Sequence, residues 1–198
     1  KKLIRAFSWP GGFPSHLYPG IPGTIHEGGE LGYALATSFG AIMDNPNLIV
    51  ACIVGDGEAE TGPTATAWHS YKFIDPVESG AVLPIIHLNG YKIASPTIYG
   101  TMSNEELTDL FTGYGYQPLI VELPEVDVKL YLAMDKALSI IHHIQKSARS
   151  GDRIQNPKWP VIILKTPKGM SGPKVIDGVD IEGSNFSHQV PAKDVKTN

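Results

Sequence analysis

Asp56, Glu58 and Glu60 stand at alternate positions in the stretch Ile53-Val54-Gly55-Asp56-Gly57-Glu58-Ala59-Glu60-Thr61-Gly62, directly after the apolar run LIVAC. A single acid there would be an ordinary turn residue, but three carboxylates in one tight glycine turn repel one another unless a cation is shared. The pattern therefore points to a positive partner. A second apolar run ends at Asn89, 33 positions after Asp56. A carboxylate and an amide oxygen at neighbouring strand ends suit magnesium, which takes about six oxygens at roughly 2.0–2.1 Å and is commonly completed by phosphate and water. Gly57 then lets the backbone approach a diphosphate held by that ion.

Three other chemistries fail on spacing. A dinucleotide fingerprint needs a glycine at 60, where Glu60 stands, and the Gly-Lys pair of a phosphate-binding P-loop occurs nowhere. HEGGE at 26–30 is close to a zinc protease motif. Glu30 replaces its second histidine, however, and the glycine pair weakens any helix that would present it.

These residues need a scaffold, and strand and helix signals alternate along the chain. LGYALATSFGAIM from Leu31 spaces Leu31, Leu35 and Ile42 as a buried helix with small residues between them. NLIVACIV is a continuous apolar strand of the kind covered on both faces. TATAWHSYKFI reads as a helix, VLPIIHLN as a second strand, and SNEELTDLFTGYG as a helix opened by the capping-box pair Ser103 and Glu106. PLIVEL is a third strand. Asp127 is placed to cap the long helix VKLYLAMDKALSIIHHIQKSA, which Gly151 ends, and PVIILKT is a fourth strand. The alternation predicts an α/β fold with a doubly wound, mostly parallel sheet and helices on both faces, whose ligands gather at the carboxyl ends of the strands. Those ends carry GDGEAETG, LNGYKI and KTPKGMSG. Residues 1–30, with six glycines and four prolines among interleaved aromatics, form an ordered loop region. The core then spans 31–170 and a closing loop segment 171–198.

The 198 residues can bury a real core, and a net charge of -4 argues against a nucleic-acid binder working by bulk positive potential. Cys52 lies alone inside an apolar run, which excludes an internal disulfide and fits a reduced, cytoplasmic setting. No apolar run reaches the roughly 18 residues of a membrane span. The opening KKLIRAFSWPGG lacks Met and PAKDVKTN has no closing element, so the chain reads as a piece of something longer.

Gly55-Asp56-Gly57 followed by Asn89 resembles the thiamine diphosphate motif, with Gly90 where a second Asn often stands. The words PGGFPSH, PGTIHEGGELGYAL, GDGEAETGPTATAWHS, LPIIHLNGYKIASPT, TPKGMSGPK and EGSNFSHQVP together resemble phosphoketolase, over residues 5–191 and the later part of that family's first domain. The resemblance implies thiamine diphosphate and Mg2+ as cofactors. The implied reaction cleaves xylulose 5-phosphate or fructose 6-phosphate with inorganic phosphate to acetyl phosphate and an aldose phosphate. It assigns Asp56, Asn89 and the Tyr91 carbonyl to the metal, and Gly29, Glu30, Gly55, Gly57 and Glu58 to the cofactor. His16, Lys168 and His188 would face the thiazolium and the sugar, with Glu60 at a subunit contact. The resemblance further implies a homodimer, a catalytic glutamate from another domain of the same polypeptide, and an isolated chain that is inactive. Transketolase-like transfer to an aldose and a noncatalytic diphosphate-binding or assembly module are the competing readings.

The remaining histidines read as structural. His87 on a strand and His69 on a helix are hydrogen-bonded, and His142 and His143 are exposed on the long helix, while His26 beside the glycine pair stays open between the two roles.

Overall fold

A computed structural model describes residues 5–188 of the chain. Four parallel strands form one sheet in the order β1-β2-β4-β3: β1 is Ile49–Gly55, β2 Ala81–Leu88, β3 Tyr116–Glu122 and β4 Trp159–Lys165. The register aligns their carboxyl ends, with Gly55 beside His87, Leu88 beside Lys165, and Lys165 beside Glu122. The predicted α/β architecture and all four strands are therefore present, and the three loops read as ligand loops leave from one edge.

Helices flank both faces. α1, Ala34–Ile42, buries Leu35, Phe39 and Ile42 against β1 and β2. α2 is Asp56–Ala59 and α3 Gly62–Ala67, while α4, Asn104–Tyr114, covers β3 on the same side as α1. The opposite face of β3 and β4 carries α5, Val126–Arg149, which turns Ala137, Ile141 and Ile144 inward at helical spacing. A hairpin of β5, Val175–Ile176, with β6, Val179–Asp180, follows the sheet. No helix among the described residues is long and apolar enough to cross a membrane.

The packed centre is aromatic. Trp68, Phe111 and Tyr116 are fully enclosed, with Phe111 and Tyr116 edge-on to the indole at 5.1 and 5.8 Å. The hydroxyl of Tyr116 donates to the Trp68 carbonyl and that of Tyr71 to the Tyr114 carbonyl, so both tyrosine hydroxyls are satisfied, while the Trp68 indole N–H has no partner among the described residues. Gly115 ends α4 in the left-handed region at φ 98°, and a Cβ there would lie 1.8 Å from the Tyr71 hydroxyl.

Several elements depart from expectation. The Ser103–Glu106 capping box is formed in both directions, but Asp127 lies inside the first turn of α5, behind Glu125 at the N-cap position. There it complements the helix dipole instead of capping. TATAWHSYKFI breaks into α3 and a separate 3-10 turn at Ser70–Phe73. Leu31 precedes α1 and is exposed. β1 is an edge strand covered by α1 on one face, and its other face leaves Ile53 65% exposed among the described residues.

Candidate functional site

The turn after β1 is not a simple reversal. Gly55 stays extended and the next four residues wind into α2, whose first turn carries Asp56 and Glu58, a placement the helix dipole favours. The winding sends the three carboxylates in different directions, each to its own donors. Asp56 is 1% exposed, and its Oδ2 accepts from the Gly90 N–H at 2.7 Å and the Thr97 hydroxyl at 2.8 Å. Among the described residues its Oδ1 accepts only from the adjacent Gly57 N–H, at 3.1 Å. Glu58, also buried, accepts from the Gly32 N–H at 2.9 Å. Glu60 accepts from the N–H groups of Ile98 and Tyr99, and Lys92 Nζ stands 2.7 Å from its other oxygen as a charge contact without hydrogen-bond alignment. The expected crowding around one cation is thus relieved by divergence. Glu60 is committed within the chain, and one oxygen of Glu58 anchors a neighbouring loop.

Asp56 and Glu60 bind the same piece of backbone, the loop that leaves β2. That loop closes on itself through Lys92 N–H to Ser95 O at 2.7 Å and Thr97 N–H to Gly90 O at 3.0 Å. Gly90 supplies a φ of +86° there, a conformation costly for a residue with a side chain, and this aims its N–H at Asp56. Asn89 Oδ1 accepts the Tyr91 N–H at 3.1 Å. The two loop tips expected to share an ion are therefore fastened side by side.

The third loop, after β4, brings Lys168 to them. Its Nζ donates to the Tyr91 carbonyl at 2.9 Å. Burial pushes the Lys168 ammonium below the usual lysine range, against the opposing pull of the Asp56 carboxylate. Gly183 N–H holds the Lys168 carbonyl at 2.7 Å, so the C-terminal segment fixes this backbone. His188 ends the short turn Asn185–His188 and is exposed, and SHQVP continues beyond the described residues.

The segment around HEGGELG joins from the other side. Gly32 is held by Glu58 through its N–H and by the Thr64 hydroxyl through its carbonyl, at 3.0 Å. The N–H groups of Gly29 and Glu30 both donate to the Glu27 carboxylate at 2.9 Å, while the Glu30 side chain is exposed. His16 is exposed and packs beside Gly29, where a Cβ would come 3.4 Å from the imidazole. Gly55, Asp56, Gly57, Glu58, Asn89, Tyr91 and Lys168 thus form one connected cluster. Gly29, Glu30 and His16 form a second, tied to it through Gly32. Of the structural histidines, His87 shares a hydrogen bond of 2.9 Å with Thr166 and His69 stacks edge-on to Tyr114.

The donor set fits a hard divalent cation. Asp56 Oδ1, Asn89 Oδ1 and the Tyr91 carbonyl are oxygens, and a positively charged group, Lys168, already sits on the carbonyl and feels Asp56. Among the described residues no three His, Cys, Asp or Glu side chains group to hold a metal. Gly55 faces open space where a Cβ would be, while at Gly57 the Lys92 side chain lies 3.4 Å from that position. Thr97, Thr64, Glu27 and Lys92 had no spacing signal. Thr97, Thr64 and Lys92 act across loops whose paths only the fold defines, while Glu27 acts locally on the N–H groups two and three residues ahead.

All 198 residues match the family model described as the XFP N-terminal domain. A protein of Rhodopseudomonas palustris (strain HaA2) named "Probable phosphoketolase" is 58% identical over 99% of this chain and 25% of its own length. Relatives of the same name from Nitrosomonas europaea and Bradyrhizobium diazoefficiens are 60% and 54% identical over 98% and 100% of the chain. The chain spans about a quarter of the length of the curated relatives it matches.

Proposed function

The chain belongs to the phosphoketolase family through its XFP N-terminal domain, and from that premise we propose that it carries the diphosphate-binding half of a thiamine diphosphate and Mg2+ site. The parent reaction in this reading joins inorganic phosphate to a two-carbon unit cut from xylulose 5-phosphate or fructose 6-phosphate. Its products are acetyl phosphate and an aldose phosphate. The observation that carries the reading is the fastening of Asp56 to the 89–91 loop by the 2.7 Å bond to Gly90, with a cationic group lodged on the Tyr91 carbonyl. It puts oxygen donors and a positive charge together at the strand ends, where ligands of such sheets collect.

Asp56, Asn89 and Tyr91 would hold the ion, with Gly55 open beside it and Gly57 bordering the diphosphate under the Lys92 side chain. Thiamine diphosphate, when bound, supplies the nucleophilic carbon and the electron sink for carbon–carbon cleavage. His16 and His188 would move protons on the sugar, work that an imidazole near neutral pH can do in both directions. Lys168 would neutralise developing negative charge. Glu58 holds Gly32 of this segment against α2, and Gly29 and Glu30 beside it would border the cofactor. A cytoplasmic homodimer, completed by the other domains of the polypeptide, belongs to this reading, and the isolated 198-residue chain is expected to be inactive.

The test is product analysis on the complete polypeptide. Acetyl phosphate from ketose phosphate plus inorganic phosphate, dependent on Mg2+ and lost in Asp56→Ala, supports it. A new ketose formed with an added aldose acceptor would establish the transketolase-like alternative. Diphosphate binding without turnover would establish the noncatalytic one.

A further inference from the structure

Two lysines lie near Asp56, and they differ in what they are doing. Lys92 passes over Gly57 and spends its charge on Glu60, 2.7 Å away. Lys168 is paired with no carboxylate within 4.0 Å among the described residues, and it donates instead to a neutral acceptor, the Tyr91 carbonyl, from a place where it feels Asp56. A carboxylate as enclosed as Asp56 is costly without a compensating charge. Lys168 sits on one of the three oxygens assigned to a divalent ion, from where it feels Asp56. A divalent cation on that oxygen and an ammonium hydrogen-bonded to it would repel each other, so the two would compete for it.

We propose that Lys168 is a displaceable counter-cation: its ammonium holds the Tyr91 carbonyl and balances Asp56 until a divalent cation takes both, and is then released. The inference rests on the reading of Asp56, Asn89 and Tyr91 as a cation site, and it adds an order of events to that site. The backbone allows the exchange without rearrangement. The Lys168 carbonyl is pinned by Gly183, and a Cβ at the neighbouring Gly169 would lie 2.7 Å from Ser187. The flexible four-carbon side chain is therefore the part free to move. Replacing one positive charge by two raises the local potential at the moment an anionic diphosphate must enter, and it frees an ammonium for the substrate side.

The experiment uses the complete polypeptide, stripped of ions by chelation, with Mn2+ alone as probe. Lys168→Met, which keeps the length of the side chain and removes its charge, is expected to bind Mn2+ about tenfold more tightly by electron paramagnetic resonance titration. In the unaltered protein, saturating Mn2+ is expected to raise acylation of Lys168 by acetic anhydride several-fold in peptide mass spectra. Lys92, held by Glu60, serves as the unchanged internal reference. Equal or weaker Mn2+ binding by Lys168→Met, or Lys168 labelling that stays level or falls, overturns the inference while leaving the cation site standing. Absence of Mn2+ binding that depends on Asp56 overturns both. Should Lys168→Met fail to fold, the labelling result on the unaltered protein decides.

Discussion

The loops at the ends of β1 and β2 and the segment 5–33 both read as site-forming, glycine-bearing stretches, yet they are held in different ways. The 56–60 and 89–99 loops are cross-linked by carboxylates that accept backbone N–H groups 34 to 39 positions away, and the Thr97 hydroxyl 41 positions away. The 5–33 segment is closed mainly by short-range backbone bonds, such as Gly28 N–H to Leu17 O, and among the described residues its side-chain hydrogen bonds to the core run through Gly32. Its aromatics are largely uncovered among the described residues, with Trp9 72% exposed. Glycine and aromatic content alone therefore do not anchor a loop. An enclosed acceptor that cannot afford to lose its donors does.

The comparison can be pressed by mutation. Asp56→Ala removes the acceptor for Gly90 and Thr97 at once. It should cost roughly 3 kcal/mol in urea or thermal unfolding and reduce acetyl phosphate formation to background, because structure and chemistry coincide there. His16→Ala belongs to the loosely held region and should separate the two readouts. Its melting should stay within about 0.5 kcal/mol of the unaltered protein, while turnover falls by about 10²–10⁴. A large loss of stability in His16→Ala would erase the distinction between the regions. Gly100→Ala places a Cβ 2.7 Å from both the Gly90 Cα and the Thr97 hydroxyl, and overpacking of this kind costs about 2 kcal/mol. Gly23→Ala meets no atom within 4 Å and carries only the strain of φ +85°, about 1 kcal/mol.

The smallest effect concerns pH. Burial, with smaller contributions from Tyr114 and Glu60, pushes the Tyr99 phenol from 10.0 up to about 12. The unfolded phenol ionises first, so the stability it contributes is complete below pH 10.0 and is lost as pH rises to about 12. Tyr99→Phe should flatten the decline in a melting series across that window. A decline unchanged in Tyr99→Phe would place the alkaline weakness elsewhere, with the Cys52 thiol, pushed by burial to about 11, the next group to test.

Much of the scaffold was legible because its signals are local. Continuous apolar runs marked all four strands, and the Ser103–Glu106 pair marked the start of α4. The misread places are those where a local signal met a competing demand. Asp127 resembled a cap, but the chain starts α5 two residues earlier, after a left-handed Glu125. For the three acids after β1, spacing signalled mutual repulsion, and only the fold shows that α2 points them apart to separate donors.

Order and spacing of residues were enough to determine a parallel α/β sheet, the edge at which its loops gather, and the oxygen-bearing residues Asp56 and Asn89 at neighbouring tips. Those properties follow from periodicity and from strand polarity, which each segment carries within itself. Which donors satisfy each carboxylate, that Glu58 and Glu60 serve neighbouring loops, and that Lys168 reaches the Tyr91 carbonyl were decided only by the tertiary structure. A hydrogen bond between positions tens of residues apart depends on where the intervening chain runs, and nothing at either end alone specifies that path.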